Sequence, residues 1–319
     1  MKTVKSLLSL LLIIVMSLPL LSSCFGILQY DIYLSDVTEL MTENVFVDCY
    51  NVGTKKDDRF GFISSSSVDN CKAVLIEAMR DYQSSCNISS YMINKDLLSD
   101  ILIDILNDSP DLFFVSQSFS YSYNKNNIVT NVYLSYTIDG SSVSSKEEID
   151  EAVRFYNESI IHITSLMPAG LDDYGKALWL HDYLCINYKY DNSLVGSNAY
   201  YMFKYGTGVC HAYTDSYMAL LRACGVDCSY CVSTDMKHIW NQVKIAGNWY
   251  HVDVTWDDAE DSNGNDVPGR ALHTSFLLSD SSISGDHYNY SGKACSSSFY
   301  DDSLIHGINT PLAFANGKW

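Results

Sequence analysis

The chain is short of positive charge. Its 20 lysines and arginines stand against 38 aspartates and glutamates, for a formal net charge of −18 at pH 7. A surface of that sign repels phosphate backbones and anionic headgroups, which argues against nucleic acid or acidic lipid as a partner held by electrostatics. The acidic residues are scattered and not massed into a tail, so they read as a solvated surface. Internal repeats and long low-complexity linkers are also missing; Ser64 to Ser67 is the longest homopolymeric run. What remains is a globular chain of 319 residues, enough for one large domain or two ordinary ones. The apolar stretch from Leu7 to Leu21 is too short for a comfortable membrane span, and Pro19 breaks it.

With Lys2 and Lys5 ahead of it, that stretch reads as the core of a signal peptide. The residues closing it, Leu21-Ser22-Ser23-Cys24, resemble the lipobox of bacterial lipoproteins. That resemblance implies removal of residues 1–23, with Cys24 becoming the lipidated first residue and the chain anchored in the cell membrane, outside the cytoplasm. An ordinary secretory signal cut near the same place is the alternative. Losing Lys2 and Lys5 moves the formal charge from −18 to −20. Of ten cysteines, nine remain once Cys24 is set aside, and export permits disulfides. Nine is odd, so at least one thiol stays free whatever the pairing.

Hydrophobic spacing organises the rest. Cys71, Val74, Leu75, Ala78, Met79 and Tyr82 recur at helical intervals, and Leu97, Leu98, Ile101, Leu102, Ile105 and Leu106 mark a second helix that Ser109-Pro110 ends. "LFFV", "FSYSY" and "IVTNVYLSY" read as strands, the last two joined by "NKNN". A third helix is expected after Ser144, with Glu147 completing a capping box, running to about Leu166 before Pro168-Ala169-Gly170. Another follows in "DDYGKALWLHDYLCINYKY". The expected division is a signal peptide over 1–23, an α+β N-terminal region over 24–165 and a C-terminal module over 166–319.

Within that module, Tyr213, Tyr217, Leu220, Leu221 and Cys224 form a helical stripe with Gly225 as its C-cap, which puts Cys210 in the first turn. Unpaired N–H groups and the helix dipole favour a thiolate there. Downstream, "MKHIWNQVKIAGNWYHVDVTWDD" is two alternating runs about a turn. With Ala246-Gly247 as the turn, His238 faces Thr255 and Asp253 faces Trp240. His238 and Asp253 then become diagonal neighbours on one face, within side-chain reach. With Gly247-Asn248 as the turn they lie too far apart unless a bulge intervenes. A histidine near a thiol takes its proton and protonates a leaving amine; a carboxylate behind it fixes the tautomer.

"GVCHAY", "HIWN" and "WYHVDVTWDD", in that order, resemble the transglutaminase-like superfamily, and its bacterial exported members more narrowly through "LHDYLCINYKYD", "SFLLSD" and His287. "SPDLFFV" and the strands after it resemble the region preceding the domain in those proteins, so the likeness covers roughly Lys95 to Tyr290. The resemblance implies Cys210 as nucleophile, His238 as general base and acid, and Asp253 as orienter. It implies an α+β fold with a papain/transglutaminase-like core, a nucleophile-bearing helix packed on an antiparallel sheet, and no cofactor. Tyr200, in an Ala-Tyr pair ten residues before the cysteine, is the candidate oxyanion donor beside the Cys210 N–H, with packing as its alternative. Ile239, His211-Ala212 and Gly175 depart from the usual pattern without removing a catalytic role.

Other features take plainer readings. His211 is expected on the surface and His181 as a satisfied structural histidine. Cys224, Cys228 and Cys231 with His238 do not make a zinc site, because strand alternation separates Cys228 from Cys231. "DDAEDSNGND" lacks the glycine of a calcium loop and reads as a solvated loop. Trp240 and Trp256 are core by default and walls of a substrate groove as the sharper alternative. The expected protein is an exported cysteine acyl-transfer enzyme acting on peptide or protein amides, with cell-wall peptide among the candidates. Hydrolysis is favoured; cross-linking of glutamine to amines, or a non-catalytic peptide-binding module on the same fold, are the alternatives.

Overall fold

The computed structural model describes residues 29–31, 40–50, 65–143 and 145–312. The signal peptide and Cys24 lie outside them. The fold is α+β, built around two five-stranded antiparallel sheets. The first runs in the order 29–31, 40–46, 118–123, 129–133, 85–87. Helices Ser65–Arg80 and Lys95–Asp108 cover it with Cys71, Leu75, Met79, Leu98, Ile101 and Leu102, the stripes expected from spacing. Asn94 caps the second helix, its side chain accepting from the Asp96 N–H at 3.0 Å.

Two local expectations change. "LFFV" is not a strand: a 3-10 turn begins at Pro110, and Val115 makes only a single bridge to Tyr136. Its aromatics fill space between helices instead, Phe113 stacking on Tyr200 at 4.7 Å and Phe114 meeting Tyr82 edge-on. The third helix, Lys146–Ser165, is capped by Ser145, whose Oγ accepts from the Glu148 N–H, one residue later than expected.

The second sheet runs 276–278, 248–252, 238–245, 228–233, 290–291. Its central hairpin turns on Ala246 and Gly247, both at positive φ (48° and 84°), and pairs Ile245 with Asn248 through to Asn241 with Val252. This is the two-residue primed turn that matches strand twist. Pairing stops there, so His238 does not face Thr255 nor Asp253 Trp240. His238 and Trp240 pair instead with Ser233 and Cys231 on the strand's other side. Asp253 leaves the strand to cap a short helix, Val254–Asp257. The acidic segment expected as a loop is a second hairpin, Asp258–Glu260 with Asp266–Ala271.

Helix Cys210–Ala223 packs across the sheet against helices Asp173–Asn187 and Ala199–Tyr205. Thr214 Oγ1 donates to the Ile239 carbonyl at 3.0 Å, and Asn241 Nδ2 donates to the Thr214 carbonyl at 3.1 Å, so helix and strand are locked in register. The helix can start so close because residue 208 is glycine: a Cβ there would meet the Ala212 Cβ at 2.4 Å. Residues 210–221 are buried on every side, between the sheet, those two helices and, from the N-terminal half, helix Lys146–Ser165 and the turn at Pro110. Arg222 reaches Asp108 at 2.6 Å, and Tyr230 donates to Asp104 at 2.6 Å.

Candidate active site

Cys210 opens its helix, and Val209 before it supplies no capping side chain. The first-turn N–H groups therefore keep their positive potential for whatever sits at the helix tip. His238 opens its strand beside the thiol and Asp253 closes the neighbouring one. The His238 Nε2–H donates to Asp253 Oδ2 at 2.5 Å, and the ring and the Cys210 thiol are hydrogen-bond partners. The three residues expected to act together are thus in contact, with Asp253 fully buried and Cys210 and His238 each below a tenth exposed. Bending at Asp253, not diagonal strand pairing, brings the carboxylate in.

The electrostatics set Cys210 apart. Burial works against its thiolate, but the hydrogen bond and charge of His238, the Tyr50 hydroxyl and the Ile239 N–H outweigh it and hold the thiol below its ordinary pKa. Burial likewise opposes a charged His238, yet the charge and hydrogen bond of Asp253, then Cys210, push the imidazole up to about 10. Asp253 is held well below the usual carboxylate range: burial is overcome by the charge and hydrogen bond of His238 and then by His287. All nine described cysteines are free thiols. The other eight are pushed up, chiefly by burial; Cys49, Cys71 and Cys295 reach about 12 and Cys228 about 11.

Two contributors were not legible as partners. Tyr50 places its hydroxyl 3.4 Å from Cys210 Sγ. It arrives on a segment from the N-terminal half fixed by several bonds: Asn107 Nδ2 donates to the Cys49 carbonyl, Asp48 Oδ1 accepts from the Tyr50 N–H, and Thr234 Oγ1 donates to the Tyr50 carbonyl. No local signal marks it. His287 donates from Nε2 to the same Asp253 oxygen at 2.9 Å and sets its Nδ1 2.6 Å from Asp286. Its place in the downstream likeness was the available signal.

The tryptophans divide. Trp240 is buried, donates from Nε1 to His251 Nδ1 at 3.0 Å and stacks on one side of His238 at 5.5 Å. It is a support, not a groove wall. Trp256 stacks on His238 at the same distance, is 40% exposed, and lines a cavity of about 360 Å³ together with Cys210 and His238. Tyr200 is not beside Cys210: it stacks on Phe113 and its hydroxyl accepts from Lys204 Nζ at 2.9 Å, so the oxyanion assignment does not fit. His211 is not on the surface but buried beneath the N-terminal half, its Nε2 3.6 Å from Asp215 Oδ1, and burial lowers it to about 4. His181 is fully buried between Asp182 at 3.0 Å and Asp257 at 3.1 Å.

Among the described residues, three groups bring ligand-type atoms within 4.8 Å of one another: His181, Asp182 and His273; His238, Asp253 and His287; His251, Asp280 and Cys295. In each, an imidazole N–H already meets the carboxylate at 2.5 to 3.0 Å. At His251 the Trp240 N–H occupies Nδ1, which leaves the proton on Nε2, facing Asp280, where a metal would need a lone pair.

A buried thiol–imidazole–carboxylate line at the tip of a helix, laid on an antiparallel sheet, defines a cysteine acyl-transfer fold. Residues 164–254, well under half of the chain, match the transglutaminase-like superfamily. That span lies in the chain's C-terminal half and contains Cys210, His238 and Asp253. Among solved structures, a protein from Cytophaga hutchinsonii described as a candidate cysteine protease is 20% identical, with 44% of this chain covered and a TM-score of 0.28. The match spans about half of that protein, 54% of its length. No curated protein matches.

Proposed function

We propose that the protein is a cysteine acyl-transfer enzyme that opens peptide or protein amides through a thioester on Cys210. The observation that carries the reading is that Cys210, at the tip of its helix, shares one cavity with His238, which Asp253 holds at 2.5 Å; the low-lying thiol pKa agrees with it. The thiolate attacks the amide carbonyl and the carbonyl π pair moves onto oxygen, which the Cys210 N–H faces at the helix tip. As the tetrahedral adduct collapses, the C–N bond breaks and His238 gives its proton to the departing amine. His238 then takes a proton from the acceptor, whose oxygen or nitrogen attacks the thioester and releases the thiol. Asp253 keeps Nε2–H occupied throughout and stabilises the imidazolium, while Trp240 and Trp256 hold the ring's plane.

Water as acceptor gives a peptidase or amidase, and this is the reading we favour; a primary amine would give cross-linking. Export on a lipid anchor at Cys24 belongs to the same proposal and rests on the sequence alone. The test is to incubate the chain with a peptide panel and a labelled primary amine and read the products by mass spectrometry. Cleavage without amine incorporation, abolished in Cys210→Ala, is the expected result. No product with any peptide, together with unchanged peptide binding by Cys210→Ala, would instead establish a binding module.

A further inference from the structure

The cavity beside Cys210 has an acidic floor. Asp258 and Glu260 line it with Tyr190, Trp256 and Leu272, and no lysine or arginine does. Asp258 stands at the start of the second hairpin, 93% buried by its 7% exposure. One of its oxygens accepts from the Tyr213 hydroxyl; the other, Oδ1, has no hydrogen-bond partner. A buried carboxylate oxygen left unmatched is costly unless something comes to meet it. Burial, Asp266 and Glu260 raise Asp258 to about 8, against the Tyr213 hydrogen bond and the charge of His181. Asp266, across the hairpin, has Lys189 as its nearest cationic influence, and that lysine does not line the cavity.

We propose that this cavity binds a cationic side chain, a primary ammonium or guanidinium on a short alkyl stem, carried by the acyl-donor peptide close to its scissile amide. The stem lies along Leu272 and the face of Trp256, and the charged head reaches Asp258 Oδ1 with Glu260 at the open end. Cys210 and His238 line the same cavity, so a head seated on Asp258 brings the adjoining amide to the thiolate. The inference rests on the acyl-transfer reading for the word donor, and on the cavity alone for the charge it selects. The amine that would accept an acyl group is a different molecule.

The test has two arms on the full chain. In the first, Cys210 is labelled with the cationic reagent aminoethyl methanethiosulfonate or the anionic sulfonatoethyl reagent, and the rate is followed by peptide mass mapping. The cation-to-anion rate ratio at Cys210 is expected to fall about tenfold in Asp258→Asn/Glu260→Gln, an effect typical of close charge pairs. Should the double variant unfold, Glu260→Gln alone, at an exposed position, is expected to lower the ratio in the same direction. An unchanged ratio in folded protein overturns the proposal. In the second arm, peptides with lysine, ornithine or arginine beside the scissile amide are compared with norleucine and glutamate. About tenfold higher kcat/KM for the cations, expressed in KM and lost in the double variant, is expected; indifference to charge overturns it. If no peptide is turned over while Cys210 keeps its charge-dependent labelling, the acyl-transfer reading falls and the cation site stands.

Discussion

Replacing Tyr50 by phenylalanine removes one oxygen and leaves the ring against His211, where the centroids lie 6.1 Å apart. That oxygen sits 3.4 Å from Cys210 Sγ and, with the sulfur ionised, donates to it. A hydrogen bond to an ionised group is worth about 1.5–3 kcal/mol, and a pKa difference of one corresponds to about 1.4 kcal/mol. Water entering the half-buried gap restores part of the loss, so the lower half of that range applies. Tyr50→Phe is therefore expected to raise the apparent pKa of the Cys210–His238 pair by about 1 to 1.5. The assay is the rate of iodoacetamide alkylation at Cys210 against pH, read by mass mapping so that the other eight described thiols serve as internal controls. Near neutral pH the variant should label more slowly, while the controls stay slow in both proteins. An unchanged or lowered midpoint would refute the reasoning, because it would mean that the hydroxyl accepts from a neutral thiol.

Gly208→Ala drives a Cβ into Ala212 and should cost about 1–3 kcal/mol, as overpacking does; Gly208→Ala/Ala212→Gly, which returns the space, should recover most of it in urea unfolding. His181 is raised to about 9 because Asp182 and Asp257 outweigh the burial that opposes its charge. A raised folded value stabilises fully below the ordinary 6.5 and is lost as pH climbs through about 9. The unfolding free energy from urea titration should fall over that window by roughly 3 kcal/mol, and His181→Gln should flatten the slope; an equal slope in both proteins would remove His181 as its source.

What the sequence revealed follows from the range of each interaction. The hairpin was readable down to a choice between two turns, and the helix at Cys210 because its stripe repeats within a dozen residues; the turn at Ala246-Gly247 then fixes the pairs from Ile245–Asn248 to Asn241–Val252. The bend at Asp253 was hidden: it arises where the carboxylate prefers capping the Trp256 N–H at 3.2 Å to continuing the ladder. His211 was misjudged because the surface that buries it comes from residues a hundred positions earlier. Tyr50 was invisible for the same reason. Tyr200 was misplaced because counting ten residues back from a cysteine says nothing of direction. The intervening helix end at Tyr205 turns its ring toward Phe113 instead. "LFFV" has strand composition, but the same aromatics serve equally well as a wedge between helices.

The contrast between Cys210 and its eight neighbours bears on how the molecule ages in oxidising surroundings. An oxidant reacts with thiolates, and among the nine described cysteines one sulfur is poised to be ionised while the other eight are buried or protonated. Damage is then concentrated at a single atom and spares the scaffold. Sulfenylation would switch off chemistry without loosening a helix or sheet, and a reductant would restore an intact fold. With its nine described thiols unpaired, the chain thus carries its own fuse, placed at the tip of its central helix.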